Sequence, residues 1–317
     1  MISRRNLVFG MLFAANACLA QQFPDRPLKI IVPYAPGSVT DPAIRSIASK
    51  MEAQLNQPVI VENRPGAAAM IGATAVAQAP ADGYTLLWTA PIAISKVYFK
   101  NPPFDIRTDF APVSGMCTSS YVMAISSSVP AKSLAEFVSY VKANPGRLNY
   151  AISANSTMLP MELFKSIAGL DIVGVTYKGA APGNQAIAAG EVQAIFGFVT
   201  SFKPLESAGK VRILAGVFPK RPSVAPDIPT FAELGYPGVT LTQSTAFLAR
   251  RAVPGDRLAK LSGIMTGLVG LPDIAKPCID SGGEPLTVQG AAIQKQLDDE
   301  FERWSAAATR AKFQPAE

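Results

Sequence analysis

Histidine is absent from this chain of 317 residues, and charged residues make up only 16% of it. Without histidine the chain has no Ser-His-Asp triad, no Cys-His pair and no His-ligated metal site. The low charged fraction also excludes a coiled coil or a solvated repeat. The remaining composition, 49% hydrophobic, predicts a globular protein that is long enough for two domains of ordinary size.

Cysteine is scarce, with residues only at positions 18, 117 and 278. Cys18 falls in a segment that we expect to be removed or lipidated, which leaves Cys117 and Cys278. Two thiols can pair in an oxidising compartment. Both residues stand in apolar stretches, however, so we expect buried free thiols rather than a disulfide.

The first 20 residues are typical of a secretory signal. Arg4 and Arg5 precede an apolar run from Leu7 to Leu19, and small residues offer a cleavage site after Ala20 or after Ala17. The run is too short for a permanent membrane anchor. A twin-arginine signal stays open as an alternative. Lipid anchoring at Cys18 is not expected, because residues 15–18 match a lipoprotein box poorly.

The charge balance argues against nucleic acid as a partner. The net charge of +6 falls to +4 when Arg4 and Arg5 leave with the signal. This excess is mild and forms no clustered basic stripe, which nucleic-acid binding would require. It is compatible with solubility or with a small anionic ligand. No later uncharged apolar run reaches ~18 residues, so we expect a soluble mature protein.

Apolar strands and amphipathic helices alternate along the mature chain, which is typical of α/β folds with parallel sheets. The number of predicted strands and helices is larger than a single hydrophobic core usually accommodates, which predicts two α/β lobes. The predicted strands span 28–33, 58–62, 84–89, 121–126, 149–153, 171–175, 193–197 and 212–217. The predicted helices span 42–56, 67–79, 134–144, 160–168, 184–190, 228–235, 254–268, 272–280 and 291–312.

Three predicted strand-to-helix loops share small residues, hydroxyls and exposed backbone N–H groups. Ligands of open α/β sheets bind outside the carboxyl ends of the strands, and helix N-termini favour anions. Each loop taken alone is also compatible with an ordinary capped turn. Together they predict a carboxylate or other anion site. The candidate ligand-binding residues are Tyr34, Gly37, Ser38, Thr40, Asp41, Ala154, Asn155, Ser156, Thr157, Tyr177, Lys178 and Gly179.

Charged candidates for this site are few, and each has a structural alternative. Asp41 also fits the N-cap of the following helix. Lys178 is either a solvated loop lysine or the donor of a charge-assisted hydrogen bond to an anion. Glu62-Asn63-Arg64 directly follows a strand, and we interpret it as a structural bracket rather than part of a site.

No catalytic constellation is recognisable. The chain has no Gly-x-Ser-x-Gly, no phosphate-binding Gly-x-x-x-x-Gly-Lys and no Cys-x-x-Cys. We interpret two Ser-x-x-Lys spacings, at Ser139/Lys142 and Ser207/Lys210, as chance. An acidic run in the last helix predicts a solvated face. Its members are Asp298, Asp299, Glu300 and Glu302.

Six motifs in register give the chain a resemblance to the substrate-binding proteins of tripartite tricarboxylate transporters, the Bug-type periplasmic receptors. The likeness runs from about Phe23 to Phe313. The motifs are residues 31–41, 61–67, 82–87 and 109–113, then Tyr177-Lys178-Gly179 with Pro182, and residues 226–230 with Glu233 and Gly235.

The resemblance implies a two-lobed periplasmic-binding-protein fold of type II, with helices flanking mostly parallel sheets and a cleft between the lobes. It divides the chain into a signal peptide at 1–20, a first lobe at 24–123 plus 245–317 and a second lobe at 124–244. It further implies a periplasmic, monomeric receptor that captures a small carboxylate and delivers it to the permease subunits of a transporter. No catalysis, cofactor or metal is implied.

Two other functions stay open on the same fold. A receptor with an identical pocket could deliver its ligand to a membrane sensor kinase. A secreted hydrolase is disfavoured by the missing histidines and by the lack of a paired nucleophile and base.

The chain departs from the family pattern mainly in the second lobe. Ser38 replaces the second glycine of the first loop, and Ala154-Asn155-Ser156 replaces a Gly-Asn-Gly that a histidine usually follows. Thr176 stands at a usual proline and Ser244 at a usual tryptophan. Phe198 and Phe202 follow a strand near a usual aspartate, so we add Phe198 to the candidate residues. The ligand is then hypothesised to be aromatic or less polar than a short dicarboxylate.

Overall fold

The computed structural model describes residues 23–36 and 41–316. The predicted signal peptide at 1–20 and the lipidation question at Cys18 lie outside these residues. Gly37, Ser38 and Thr40 of the first predicted loop also lie outside them.

Strands and helices alternate through most of the described chain. The strands are β1 (Leu28–Val32), β2 (Val59–Asn63), β3 (Thr85–Thr89), β4 (Phe110–Ser119), β5 (Val122–Ser126), β6 (Asn149–Ile152), β7 (Val173–Thr176), β8 (Ala194–Gly197), β9 (Val211–Gly216), β10 (Gln243–Arg250) and β11 (Glu284–Pro285). The helices are α1 (Asp41–Leu55), α2 (Met70–Ala77), α3 (Leu134–Ala143), α4 (Asn155–Ala168), α5 (Ala180–Ala189), α6 (Val199–Ser207), α7 (Gly255–Val269), α8 (Pro272–Asp280) and α9 (Ala291–Arg310). Short 3₁₀ turns occupy Ala67–Ala69, Pro91–Ile94 and Pro237–Val239.

The first sheet has six strands in the order β11-β4-β10-β3-β1-β2. β1 pairs in parallel with β2 and β3, so the carboxyl ends of these three strands lie at one edge. β10 runs antiparallel between β3 and β4. Both faces of β1 are buried: Ile30 and Val32 pack into one hydrophobic core and Ile31 into another. Helices on both sides of the sheet cover these cores.

The second sheet has five strands in the order β7-β6-β8-β5-β9. β6 is parallel to β7 and β8, whereas β5 is antiparallel to β8 and β9. The helices that follow β6, β7 and β8 therefore all begin at the same edge. Tyr150 packs into one core and Ala151 into the other, so this sheet is also buried on both faces.

The chain passes between the sheets twice. The first passage lies between Ser119 at the end of β4 and Val122 at the start of β5. The second ends at Gln243, where β10 begins. The predicted lobe boundaries at 123/124 and 244/245 fall inside β5 and β10, and the division into lobes stays a prediction.

Several sequence predictions differ from the structure. β4 and β10 are long antiparallel partners that alternation of strands and helices does not reveal, and α6 was not predicted. The predicted helix at 228–235 is wrong: this segment forms turns, and Thr230 bridges to Gly216 beside β9. Helices predicted at 160–168 and 184–190 begin earlier, at Asn155 and Ala180.

The expectation of free thiols is wrong, because Cys117 and Cys278 form a disulfide. Their burial was predicted, and both residues are less than a tenth exposed. The sequence did not reveal that the two cysteines lie close together. α8 packs against β4, which brings the two cysteine Cα atoms to 5.9 Å. Gly283 makes room, since a Cβ there would lie 2.8 Å from the Cys117 Sγ.

Within the described ranges, no single helix combines the length and the hydropathy needed to cross a membrane. α7 and α8 reach that threshold only when taken together, and they are bent by 68° at the break between them.

Candidate functional site

Tyr34 follows β1 at the parallel edge of the first sheet. Its hydroxyl lies 3.3 Å from Thr89 Oγ1 at the end of β3, and its ring packs edge-on against Trp88 at 5.7 Å between centroids. Burial raises the pKa of the Tyr34 hydroxyl, while hydrogen bonds with Thr89 and Ala90 oppose the shift. The phenol therefore stays protonated and can donate a hydrogen bond near neutral pH.

Hydrogen bonds among Asn63, Arg45 and Asp41, which we call the polar bracket, connect the two sides of the first loop. Asn63 Nδ2 donates to the Tyr34 carbonyl over 3.0 Å, and its Oδ1 accepts from Arg45 over 2.9 Å. Arg45 Nε also donates to Asp41 Oδ2 over 2.9 Å. Asp41 is buried and is the first residue of α1. The bracket thus joins the end of β2 to both described sides of the first loop, in a structural role like that interpreted from Glu62-Asn63-Arg64.

The second predicted loop is the first turn of α4. Thr157 Oγ1 accepts from the Ala154 N–H over 3.2 Å and donates to the Ala154 carbonyl over 2.9 Å, which occupies this hydroxyl locally. Ala154 is exposed and Asn155 is half-buried, whereas Ser156 and Thr157 are buried. Pro160, expected at the start of the helix, lies inside it. The helix N-terminus therefore stands closer to the sheet edge than predicted.

Ser156 contacts Tyr121, a residue that the sequence did not single out. The Tyr121 hydroxyl donates to Ser156 Oγ over 2.7 Å, and Gln243 Nε2 donates to the Tyr121 hydroxyl. Tyr121 lies at the first passage between the sheets and Gln243 at the second. Only their positions in the sequence could have pointed to them. Tyr121 follows the end of β4 and Gln243 begins β10, the two places where the chain passes between the sheets.

Phe198 packs against the same tyrosine, whereas Phe202 does not share the site. The Phe198 ring lies 5.1 Å from the Tyr121 ring, and Phe198 is half-buried. Phe202 is fully buried among apolar residues that pack on the second sheet, with its ring against the position where Gly197 would carry a Cβ. Phe202 therefore cannot contact a ligand, and the hypothesis of an aromatic ligand depends on Phe198 alone.

The third predicted turn lies beside the second. β6 and β7 pair in register through Ile152 and Thr176, and Tyr177 N–H donates to the Ile152 carbonyl over 2.9 Å. Gly179 precedes α5 with a φ of 102°, a conformation that favours glycine. Lys178 is exposed, and its side chain makes no hydrogen bond or ion pair with any residue in the described ranges.

Residues from both sheets converge around Tyr121. Tyr34 lies near enough to Tyr121 for their phenolate charges to repel, and this repulsion adds to the burial that raises the pKa of Tyr121. Tyr34, Ser156 and Phe198, which follow β1, β6 and β8, thus all lie close to Tyr121. No described side-chain contact joins Ala154, Asn155, Lys178 or Gly179 to Tyr121. Among the residues described, no group of three potential His, Cys, Asp or Glu metal ligands occurs.

A buried carboxyl group lies beneath the second passage. Glu300 was expected on a solvated acidic face, but it is only 2% exposed, so that expectation is wrong for this residue. Its Oε2 accepts from the Ser244 N–H over 2.7 Å. Burial raises the pKa of Glu300 to about 8. One turn further along α9, Trp304 Nε1 donates to the Thr242 carbonyl over 2.8 Å. α9 therefore makes two hydrogen bonds to the second passage between the sheets.

A separate cavity of about 490 Å³ lies between α9 and the segment after β3. The two cations among its lining residues, Lys96 and Arg107, are already paired with Asp105 and Glu302. It shares no lining residue with the group around Tyr121.

Comparison with known proteins identifies the family. The sequence profile described as "Tripartite tricarboxylate transporter family receptor" matches residues 43–311. A UPF0065 protein of Bordetella pertussis is 33% identical over 304 residues, which cover 95% of this chain and 94% of that protein. Protein BugT of the same organism is 30% identical over 313 residues, which cover 96% of each chain.

Two solved structures are similar over nearly the whole chain. One is "R. palustris Rpa4515 with adipate", at a TM-score of 0.83 and 30% identity, covering 93% of this chain and 100% of that one. The other is MatC from Rhodopseudomonas palustris with bound malate, at a TM-score of 0.78 and 28% identity, covering 90% and 99%. These likenesses confirm the predicted α/β periplasmic-binding-protein fold. The chain therefore belongs to the tripartite tricarboxylate transporter receptor family, whose members are periplasmic solute-binding receptors and not enzymes.

Proposed function

We propose that this protein captures a small carboxylated metabolite between two lobes and delivers it to the permease subunits of a tripartite transporter. The lobes are 24–123 plus 245–317 and 124–244, and the protein works as an exported monomer in the periplasm. The observation that carries the proposal is the contact of Tyr121, at the first passage between the sheets, with Ser156 at the start of α4 and with Phe198 after β8.

Hydroxyl and main-chain donors hold the anion in this proposal. Tyr34 and Ser156 contribute hydroxyls, and the N-termini of α4 and α5 direct backbone N–H groups and positive dipole ends toward the carboxylate. Such preorganised donors stabilise a desolvated anion before any charged side chain contributes. The ligand-binding set is completed by Gly37, Ser38, Thr40, Asp41, Ala154, Asn155, Thr157, Tyr177, Lys178, Gly179 and Phe198.

The two passages between the sheets act as the hinge. A ligand that contacts both lobes stabilises the closed arrangement, because it adds contacts that the open form lacks. Lys178, exposed and unpaired within the described residues, supplies a charge-assisted hydrogen bond when the lobes close. The closed form then presents the solute to the permease.

A thermal-shift screen tests the proposal. Adipate and malate, the ligands of two similar receptors, are compared with benzoate and phthalate, and with adipamide as the uncharged control. At a concentration 100 times Kd, a bound acid stabilises the protein by about 2.7 kcal/mol, which raises Tm by several degrees. No shift with any acid, or an equal shift with adipamide, would contradict carboxylate capture.

Delivery to a permease needs its own test. Candidate permease subunits placed in proteoliposomes should take up labelled adipate only when the loaded protein is added. Uptake that is unchanged by the protein would contradict the transporter assignment and leave capture itself intact.

A further inference from the structure

Three polar side chains form a continuous hydrogen-bond chain across the hinge. Gln243 Nε2, at the second passage, donates to the hydroxyl of Tyr121 at the first passage. Tyr121 donates in turn to Ser156 Oγ over 2.7 Å at the N-terminus of α4. All three residues are less than a tenth exposed, so bulk water does not compete for these bonds.

The direction of the chain decides what Ser156 offers to a ligand. An amide nitrogen only donates, so the tyrosine oxygen accepts from Gln243 and the tyrosine hydrogen turns toward Ser156. The serine oxygen then accepts, and its own hydrogen is left over. Within the described ranges, no residue accepts that hydrogen.

The amide of Gln243 favours this direction. Its Oε1 is buried and has no partner in the described part of the chain. The reversed amide would satisfy that oxygen but would leave the NH₂ group, with two donors, unpaired in the same buried place. The described orientation leaves that oxygen and one N–H unpaired, whereas the reversed amide leaves two N–H donors unpaired. A buried carbonyl oxygen without a partner is tolerated better than a buried N–H without one, so Gln243 donates.

We propose that Tyr121 and Gln243 are positioning residues that hold the Ser156 hydroxyl as a donor toward the ligand, and so select a carboxylate over a ligand group that itself donates. This inference rests on the proposed function, since it needs an anion between the lobes. It adds a cause of anion preference that involves no charged side chain. Because these hydrogen bonds join both passages to the start of α4, they also hold the Ser156 hydroxyl in place as the hinge moves.

A double-mutant cycle, with adipate as the ligand, tests the role of this hydrogen-bond chain. Isothermal titration compares the wild type with Ser156→Ala, Tyr121→Phe and the double variant. Ser156→Ala removes a donor to a charged group and should weaken adipate binding about 10- to 100-fold. Tyr121→Phe should weaken it several-fold, and the double variant should bind like Ser156→Ala alone. Losses that multiply, or a Tyr121→Phe variant that binds normally, would overturn the proposal.

Tyr98→Phe is the matched control. Tyr98 is also fully buried, but its hydroxyl has no partner among the described residues. The same atom is therefore deleted without breaking a hydrogen bond, and adipate affinity should not change. An equal loss in Tyr98→Phe would assign the effect to packing and overturn the proposal.

Gln243→Glu tests the direction. At a pH high enough to ionise the introduced carboxyl group, it only accepts, so Tyr121 must donate to it and accept from Ser156, whose lone pairs then face the ligand. Adipate binding should fall while adipamide binding is kept or gained. Gln296→Glu controls for the added charge, because Gln296 hydrogen-bonds Ser244 and Thr118 near the same crossing and lies outside the chain.

The outcomes separate the two proposals. Equal losses of adipate in Gln243→Glu and Gln296→Glu would overturn the directional role. If either variant fails to fold, the cycle of Ser156 and Tyr121 decides. A wild type that binds neither adipate nor any acid of the screen would overturn carboxylate capture and this inference with it. A wild type that binds adipate, with variants that bind equally well, would overturn only this inference.

Discussion

The Ser244 N–H donates to the buried carboxyl group of Glu300 over 2.7 Å. A residue of the last helix thereby holds the strand that returns the chain to the first sheet. Ser244 is itself almost fully buried. This pair places a titratable group directly beneath the second passage between the sheets.

Stability should fall as the pH rises from about 4.5 to about 8 through this group. The pKa of Glu300 is about 8 in the folded protein against an ordinary 4.5, so the folded state holds a proton that the unfolded state has lost. The stabilisation is fully present below pH 4.5 and is lost by pH 8, by up to about 5 kcal/mol. Nearby Arg303 lowers the pKa in part. Urea unfolding between pH 5.5 and 8.5 measures the slope.

Glu300→Gln is the matched variant for this prediction. The amide oxygen still accepts from Ser244, and nothing titrates. The difference in unfolding free energy between the wild type and Glu300→Gln should therefore change with pH, in favour of the variant at high pH. Parallel pH profiles would contradict a raised pKa at Glu300.

Reduction of the disulfide should destabilise the protein strongly. Cys117 and Cys278 are 161 residues apart, and the closed loop contains the whole second sheet. Removing a native disulfide typically lowers the free energy of unfolding by about 2–5 kcal/mol, and long loops lie toward the upper end. Tm measured with and without dithiothreitol checks this. The double variant Cys117→Ala/Cys278→Ala should reproduce the lower Tm and lose all response to reductant.

Asn63 should be required for a well-formed first loop. Asn63→Ala leaves the Tyr34 carbonyl without its donor and should lower the free energy of unfolding by about 1–3 kcal/mol. Asn63→Asp should be worse, because a second carboxylate then faces Asp41, which lies 3.4 Å from the Asn63 nitrogen. Both variants should weaken adipate binding. Urea unfolding and titration calorimetry provide the measurements, and an Asn63→Asp variant as stable as Asn63→Ala would refute the bracket.

Gly183 and Ser153 should show strong coupling. A Cβ on Gly183 would lie 2.4 Å from Ser153 Oγ, so Gly183→Ala overpacks the contact between α5 and the end of β6. We expect a loss of about 1–3 kcal/mol. Ser153→Ala should be nearly neutral, since this buried hydroxyl has no partner in the described part of the chain. The double variant should recover most of the loss in urea unfolding, and failure to recover would place the clash elsewhere.

Local patterns predicted the elements that local forces form. β1 was recognisable because its residues are apolar on both faces, and α3 because Ser133 accepts from the Glu136 N–H as an N-cap. α4 was misplaced because Pro160 is typical of a first helical position, whereas the turn at Ala154 and Thr157 starts the helix earlier. β4 and β10 were missed because their stability comes from each other, across more than 100 residues.

The sequence by itself determined the fold class and the family, because strand-to-helix patterns and turn residues are local properties. Only the tertiary structure decided which distant residues meet. It paired Cys117 with Cys278, buried Glu300 under Ser244, and placed Tyr121 between Gln243 and Ser156. Each of these contacts joins residues at least 35 positions apart. Burial and proximity at that range depend on how the sheets pack, which no local pattern encodes.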